Sequence, residues 1–186
     1  MFTTKLEKTL PELRAFTRML CGSADLADDI VQNACLKAWK ARSSFDPERG
    51  SFKSWIFTIA RNEYLQILRK RRPVDCYAPE DFEHHLVQDC QHDTRTDCSD
   101  AIKQLFELNA EQRDVFILVA AAGYSYEEAA EICGCSIGTI KSRVNRARAK
   151  LLDLRDAQAS NGQETISFHA LQDLLGYVDD LVRKAA

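Results

Sequence analysis

Glycine and proline are scarce in this 186-residue chain, at 7 and 4 residues, and no proline follows Pro79. That scarcity speaks against a turn-rich β architecture and favours helices. Long apolar runs are missing too: no stretch approaches the roughly 20 residues that a membrane span needs. The first residues, MFTTKLEKTLPEL, lack the apolar core of a signal peptide. A cytoplasmic location is therefore expected. The cysteines lack an even count and a regular spacing: Cys21, Cys35, Cys76, Cys90, Cys98, Cys133 and Cys135. In a reducing cytosol they are expected to be free thiols, not a disulfide frame. A basic excess is also lacking, since the net charge is −3.

Hydrophobic residues make up 45% of the chain, enough for a packed core. The charge is segregated. Residues 1–72 hold 14 basic and 8 acidic side chains, residues 73–100 one Arg and 8 acids, and residues 101–155 8 basic and 7 acidic. Two segments suited to DNA flank an acidic strip. Because phosphate neutralisation supplies most non-specific affinity, the whole chain should bind DNA poorly alone and work through a DNA-gripping partner.

The apolar pattern predicts an all-α protein. Leu6, Leu10, Leu13 and Leu20 share a helical face, with Pro11 placed early in that helix and Gly22 ending it. Asp25 is expected to cap the next helix, with Asp28 in its first turn. Leu26, Ile30, Ala34 and Ala38 form its stripe. FDPERG (Phe45 to Gly50) reads as a loop. Ser51 caps a third helix through Phe52, Trp55, Ile56 and Ile59, continuing or restarting through Tyr64, Ile67 and Leu68. Pro73 disfavours helix at Arg72. Residues 74–98 show no period and read as an acidic linker. The domains are thus expected at 1–73 and 99–155, two small helical domains, followed by an extension over 156–186.

Ser125-Tyr126-Glu127-Glu128 is a capping box opening a short helix with Ala129, Ala130 and Ile132. Gly134 supplies the turn and Ser136 caps the next helix. That helix has an inner stripe of Ile137, Ile140, Val144, Ala147 and Leu151. Its outer face carries Ser142, Asn145 and Arg146. Lys141 and Arg148 flank it on one side, Arg143 and Lys150 on the other, and no acid occurs from Ile132 to Leu152. Polar tips can bond base edges in the major groove while basic flanks hold phosphates. Short helix, glycine turn and recognition helix match the helix-turn-helix plan. A helical hairpin with a solvated basic face is the plainer alternative.

In residues 51–72 aromatics lie beside cations: Phe52, Trp55, Phe57 and Tyr64 with Lys53, Arg61, Arg69, Lys70, Arg71 and Arg72. Stacking plus backbone charge is the chemistry of single-strand capture, and Asn62 is a candidate for an extruded base. Trp55 at helical spacing reads better as core. On the second helix, Asp28, Asp29 and Gln32 lie away from the apolar stripe and alone read as a solvated face.

Three segments together resemble the extracytoplasmic-function (ECF) sigma factors: DLADDIVQNACLKAWKA from Asp25, FDPERGSFKSWIFTIARNEYLQILRKRR from Phe45, and GYSYEEAAEICGCSIGTIKSRVNRARAKL from Gly123. These are the members of the sigma-70 family that keep only regions 2 and 4. The likeness spans about residues 5–155 and is nearest the general-stress type of alphaproteobacteria. It implies that the chain binds the β and β′ subunits of core RNA polymerase and promoter DNA, that an anti-sigma factor holds it, and that it is no enzyme and needs no cofactor. It implies that Asp28, Asp29 and Gln32 dock on the β′ clamp helices. Asn62 and its neighbours Arg61, Trp55 and Lys70 would serve the −10 element. Lys141, Ser142, Asn145 and Arg146 would read the −35 element, with Arg143 and Arg148 serving phosphates or packing. Position 145 varies in type across the family, so it does not give the promoter sequence.

Beyond the usual end of the family, Ile166, Leu171, Leu174, Leu175, Val178, Leu181 and Val182 suggest one more helix, regulatory or merely packing. Three other readings compete. A sigma-like decoy would have a damaged recognition helix, and this one is intact. An ordinary helix-turn-helix dimer leaves residues 25–72 without a task. A metal or redox sensor would use Cys90, His92 and Cys98 with His84, His85 or the Cys133–Cys135 pair, but these spacings fit no common zinc pattern. No metal site is expected.

Overall fold

A computed structural model describes residues 2–70 and 103–160, whose regular elements are all helices joined by short turns and loops. Helix α1 spans Phe2–Cys21, α2 Ala24–Lys40 and α3 Phe52–Lys70. After the helical residues 103–107 come α4 (Ala110–Phe116), which runs into a π-helical turn at Ile117–Ala121, then α5 (Tyr126–Cys133) and α6 (Ile137–Ser160). The acidic linker expected at 74–98 and the extension past residue 160 lie outside the described residues.

Most local signals act as their chemistry predicts. Ser51 Oγ accepts from Ser54 N at 3.0 Å and starts α3, which runs unbroken to Lys70. Two expectations are corrected. Ser23, not Asp25, caps α2: its Oγ accepts from Leu26 N, and Asp25 sits in the first turn, where its charge favours the helix N-terminus. Pro11 lies in the middle of α1, because the helix starts at Phe2 rather than near the proline. Interior proline costs about 3 kcal/mol; the apolar face of Leu13, Phe16 and Leu20, all buried, offsets it.

The first three helices pack together through Leu13, Phe16, Leu20, Ile30, Ala34, Ile56, Phe57 and Ala60. The second half packs Val115, Phe116 and Leu118 with Ala129, Ile132, Ile140, Val144 and Ala147. These buried residues belong to one continuous cluster. Helix α3 rests on α5, and α1 touches α4 and the π-helical turn. Among the described residues no helix is long and apolar enough to cross a membrane.

Candidate nucleic-acid interface

The helix-turn-helix is assembled by its caps. Ser125 Oγ accepts from Glu128 N at 3.1 Å, and the Glu128 carboxylate accepts from Ser125 N at 2.9 Å. Gly134 takes the left-handed conformation, φ 62° and ψ 39°, that ends α5. Cys135 N then donates to Ala130 O at 3.1 Å, which closes the turn. Ser136 Oγ accepts from Thr139 N at 3.2 Å to open α6. Ile140, Val144 and Ala147 are buried against the hairpin. That leaves Lys141, Ser142, Asn145, Arg146 and Arg148 exposed on one outer surface.

The two basic flanks differ. Arg143 is mostly covered and pairs with Glu111 of α4 at 2.6 Å, and Lys150 donates to the Glu107 carbonyl. Both therefore tie α6 to its own domain. Arg146 folds back on the preceding turn, its Nη2 3.0 Å from Ser142 Oγ. That contact lies on the surface and holds the guanidinium over the tips that would meet base edges.

On α2, Asp29 and Gln32 are exposed and Asp28 is half-buried, with Arg18 4.0 Å away. Leu36 and Trp39, 59% and 48% exposed, continue the Gln32 face one and two turns on. Sequence reasoning passed over them. Their signal was available, since both fall off the buried Ile30–Ala34–Ala38 stripe.

On α3, Asn62 and Lys70 are exposed. Trp55 is half-buried in an aromatic cluster with Phe2, Phe45 and Phe52, ring centroids 5.2–6.4 Å from its own. Beside it opens a cleft of about 250 Å³ lined by Asp46, Arg49, Ser51, Trp55 and Thr58, with Glu131 reaching in from α5. Arg61 is not on this surface. It is 6% exposed and pairs with Asp114 of α4, and its Nη1 donates to Cys133 O at 3.4 Å. The reason is helical phase: Phe57, Arg61 and Tyr64 sit at i, i+4 and i+7, one turn-face removed from Asn62.

Burial governs the ionisation of this seam. Desolvation pushes the Asp114 carboxyl above its usual range, and Arg61 pulls it back only in part. For Arg61 the burial penalty is outweighed by Asp114, which raises the guanidinium further. The Cys133 thiol is pushed up to about 12, by burial first and then by Asp114. Among the described residues no group of three or more His, Cys, Asp or Glu could hold a metal ion. The linker ligands considered above, Cys90, His92, Cys98, His84 and His85, lie outside them.

A helix-turn-helix whose second helix bears no acid from Ile137 to Leu152, coupled to a second helical unit with an exposed acidic and apolar helix, is the build of a DNA-binding protein with a further docking surface. The comparisons identify the family. Residues 6–74 match the model of sigma-70 region 2, and residues 101–151 that of sigma-70 region 4. The chain is 44% identical over 142 residues to the ECF RNA polymerase sigma factor EcfG of Rhodopseudomonas palustris, covering 76% of this chain and 78% of that one. Its fold matches the sigma factor RpoE in complex with the anti-sigma factor NepR from Bartonella quintana. The TM-score is 0.68 at 41% identity, covering 82% of this chain and 95% of that one. It also matches CnrH in complex with the cytosolic domain of CnrY, with a TM-score of 0.64 at 29% identity, covering 84% and 88%. The chain belongs to the ECF sigma factors of the sigma-70 family, on the side of the alphaproteobacterial general-stress type. It is a transcription initiation factor and not an enzyme.

Proposed function

We propose how the surfaces divide the work of this sigma factor. Residues 1–73 dock on core polymerase and open the −10 element, and residues 99–155 read the −35 element. On α2, Asp28, Asp29 and Gln32 meet the β′ subunit, and Leu36 and Trp39 extend that contact with apolar area. On α3, Asn62 and Lys70 serve the −10 strand, with Trp55 as the stacking wall beside them. On α6, Lys141, Ser142, Asn145 and Arg146 enter the major groove while Arg148 holds phosphate. Arg143 supports α6 from behind through Glu111. An anti-sigma factor in the cytoplasm restrains the protein until a stress signal, as the complexes of the two related structures suggest.

The observation that carries this reading is the outer face of the first four turns of α6, exposed and without an acid from Ile137 to Leu152, on a capped helix-turn-helix. Run-off transcription with core polymerase on a pool of promoters tests it. Transcripts that depend on this protein, and fall at least tenfold for Lys141→Ala with Arg146→Ala, are expected. Core binding without any transcript would support a decoy; no core binding would return the chain to the ordinary helix-turn-helix class.

A further inference from the structure

The loop from Phe45 to Gly50 leads from α2 into α3 and walls the cleft beside Trp55. Its own hydrogen bonds are local. Glu48 N donates to Asp46 Oδ1 at 3.0 Å, and Arg49 N donates to the Asp46 carbonyl at 3.2 Å. Such bonds shape a turn but do not fix it to the body of the domain. Rings do that here. Phe45 lies 5.5 Å from Phe52 and 5.2 Å from Trp55, centroid to centroid, and both of those partners stand at the start of α3.

The first turns of α1 close over this group. The Phe2 ring meets Phe52 at 5.3 Å and 89°, Trp55 at 6.4 Å and 79°, and Trp39 at 5.8 Å and 73°. All three are edge-to-face contacts, the arrangement that aromatic quadrupoles favour. One turn on, Lys5 sets its ammonium 5.6 Å from the centre of the Phe45 ring. Trp39 is itself held from its other side: the Arg42 guanidinium lies 4.9 Å from its ring, and Arg42 Nη1 donates to the Trp39 carbonyl at 2.9 Å. Phe2 therefore touches the last turn of α2 and the first turn of α3, the two stems of the loop, while Lys5 touches the loop. Helix starts fray, because their N–H groups lack partners within the helix. Here that turn carries a ring braced on three others. The domain core is served by Leu13, Phe16 and Leu20, fully covered in the second half of α1; Phe2 is only half-buried and lies at the opposite end, so what it holds is local to the loop stems.

We propose that Phe2, aided by Lys5, is a positioning residue for promoter opening: it holds the two stems of the Phe45–Gly50 loop together and the Trp55 ring at a fixed angle, so that the wall that meets the unpaired −10 strand is formed before the DNA arrives. The inference rests on the −10 role proposed above for that wall. Phe2 acts through Trp55 and Phe45, not on DNA itself. Its effect is preorganisation, since a loop and ring already ordered need not lose that freedom when the strand is captured.

Two readouts separate positioning from plain packing. The chain has two tryptophans, Trp39 and Trp55, so in a Trp39→Phe background all indole emission comes from Trp55. In that free chain, Phe2→Ala is expected to raise acrylamide quenching of Trp55 at least about twofold, as the ring loses its brace, while far-UV circular dichroism stays that of the parent. In the holoenzyme, with Trp39 in place and core polymerase saturating for each variant, permanganate reactivity of the −10 thymines is expected to fall at least about fivefold for Phe2→Ala, the effect of losing its ring contacts. Phe2→Tyr, which keeps the ring, is expected to restore both values. If Phe2→Ala does not fold, Phe2→Leu, which keeps apolar volume without a ring edge, is read in the same two assays. Unchanged quenching in a folded variant overturns the bracing of Trp55. Raised quenching with undiminished opening overturns the positioning role and leaves the −10 reading in place. Undiminished opening by Trp55→Ala as well removes the −10 reading of the wall, and the positioning role falls with it.

Discussion

Gly22 and Gly134 both have positive φ, 70° and 62°, and replacing each by alanine separates two physical costs. The first is backbone: an L side chain in the left-handed region costs about 1–2 kcal/mol. Both sites incur it. The second is steric, and here they differ. A Cβ built on Gly134 meets no atom within 4 Å, whereas on Gly22 it would lie 2.6 Å from Phe106 Cζ and 2.8 Å from Cε1. Overpacking of that kind adds about 1–3 kcal/mol. Gly134→Ala should therefore lose about 1–2 kcal/mol, and Gly22→Ala about 2–5 kcal/mol in all. Urea denaturation followed by circular dichroism measures both from the midpoint shift at constant slope. The double variant Gly22→Ala with Phe106→Ala isolates the steric part: in the Phe106→Ala background, adding Gly22→Ala should cost only the backbone term. Equal losses at Gly22 and Gly134, or no relief from removing the ring, would refute the packing of Phe106 on Gly22.

Ser125→Ala removes the cap of α5 and should destabilise the protein by about 1 kcal/mol, seen as a lower urea midpoint; Glu128→Ala in that background removes the remaining bond, which runs to the backbone N–H of residue 125, and should destabilise it further by about 0.5 kcal/mol. The Cys133 thiol, with its folded value raised from 9.0 to about 12, stays protonated where an unfolded chain has begun to ionise. At pH 8.5 its thiolate fraction, and so its alkylation by iodoacetamide, should be on the order of 1,000-fold below that of the urea-unfolded chain, as peptide mass spectrometry would report. The sign for stability follows: between pH 9 and 12 only the unfolded form releases this proton, so this group lowers stability as pH rises through that window. Asp29→Lys should weaken core polymerase binding severalfold, chiefly in the association rate, and leave the urea midpoint within about 0.5 kcal/mol of the parent; an unchanged association rate would remove Asp29 from the docking face.

Much of the fold was legible because its signals are local. Ser125, Glu128, Gly134 and Ser136 act within one turn of themselves, and their residue types admit few other conformations there. The stripes Ile30–Ala34–Ala38 and Ile140–Val144–Ala147 were legible for the same reason. The cap of α2 was misread because Ser23 and Asp25 are both good caps two residues apart, and it is Ser23 that takes the extended backbone, φ −137° and ψ 128°, that a cap needs. The π-helical turn at Ile117–Ala121, which touches α1, has no residue type that marks it in the sequence. Arg61 was the instructive case. Beside Asn62 in a cationic aromatic segment it reads as a DNA contact, yet its partner lies 53 residues away at Asp114. No periodicity within α3 can reveal an ion pair whose other half belongs to a different helical unit. The exposed α6 face was visible in outline, but its division into exposed tips and an Arg143 tethered to Glu111 required the packing of α4.

Hydroxyl-radical footprinting of the holoenzyme on a promoter it transcribes tests the central account most directly. Two protected patches centred about 25 base pairs apart are predicted, with only the upstream patch lost when Lys141→Ala and Arg146→Ala are combined. A single patch, or two symmetric half-sites one helical turn of about 10 base pairs apart, would contradict the division of labour between α3 and α6.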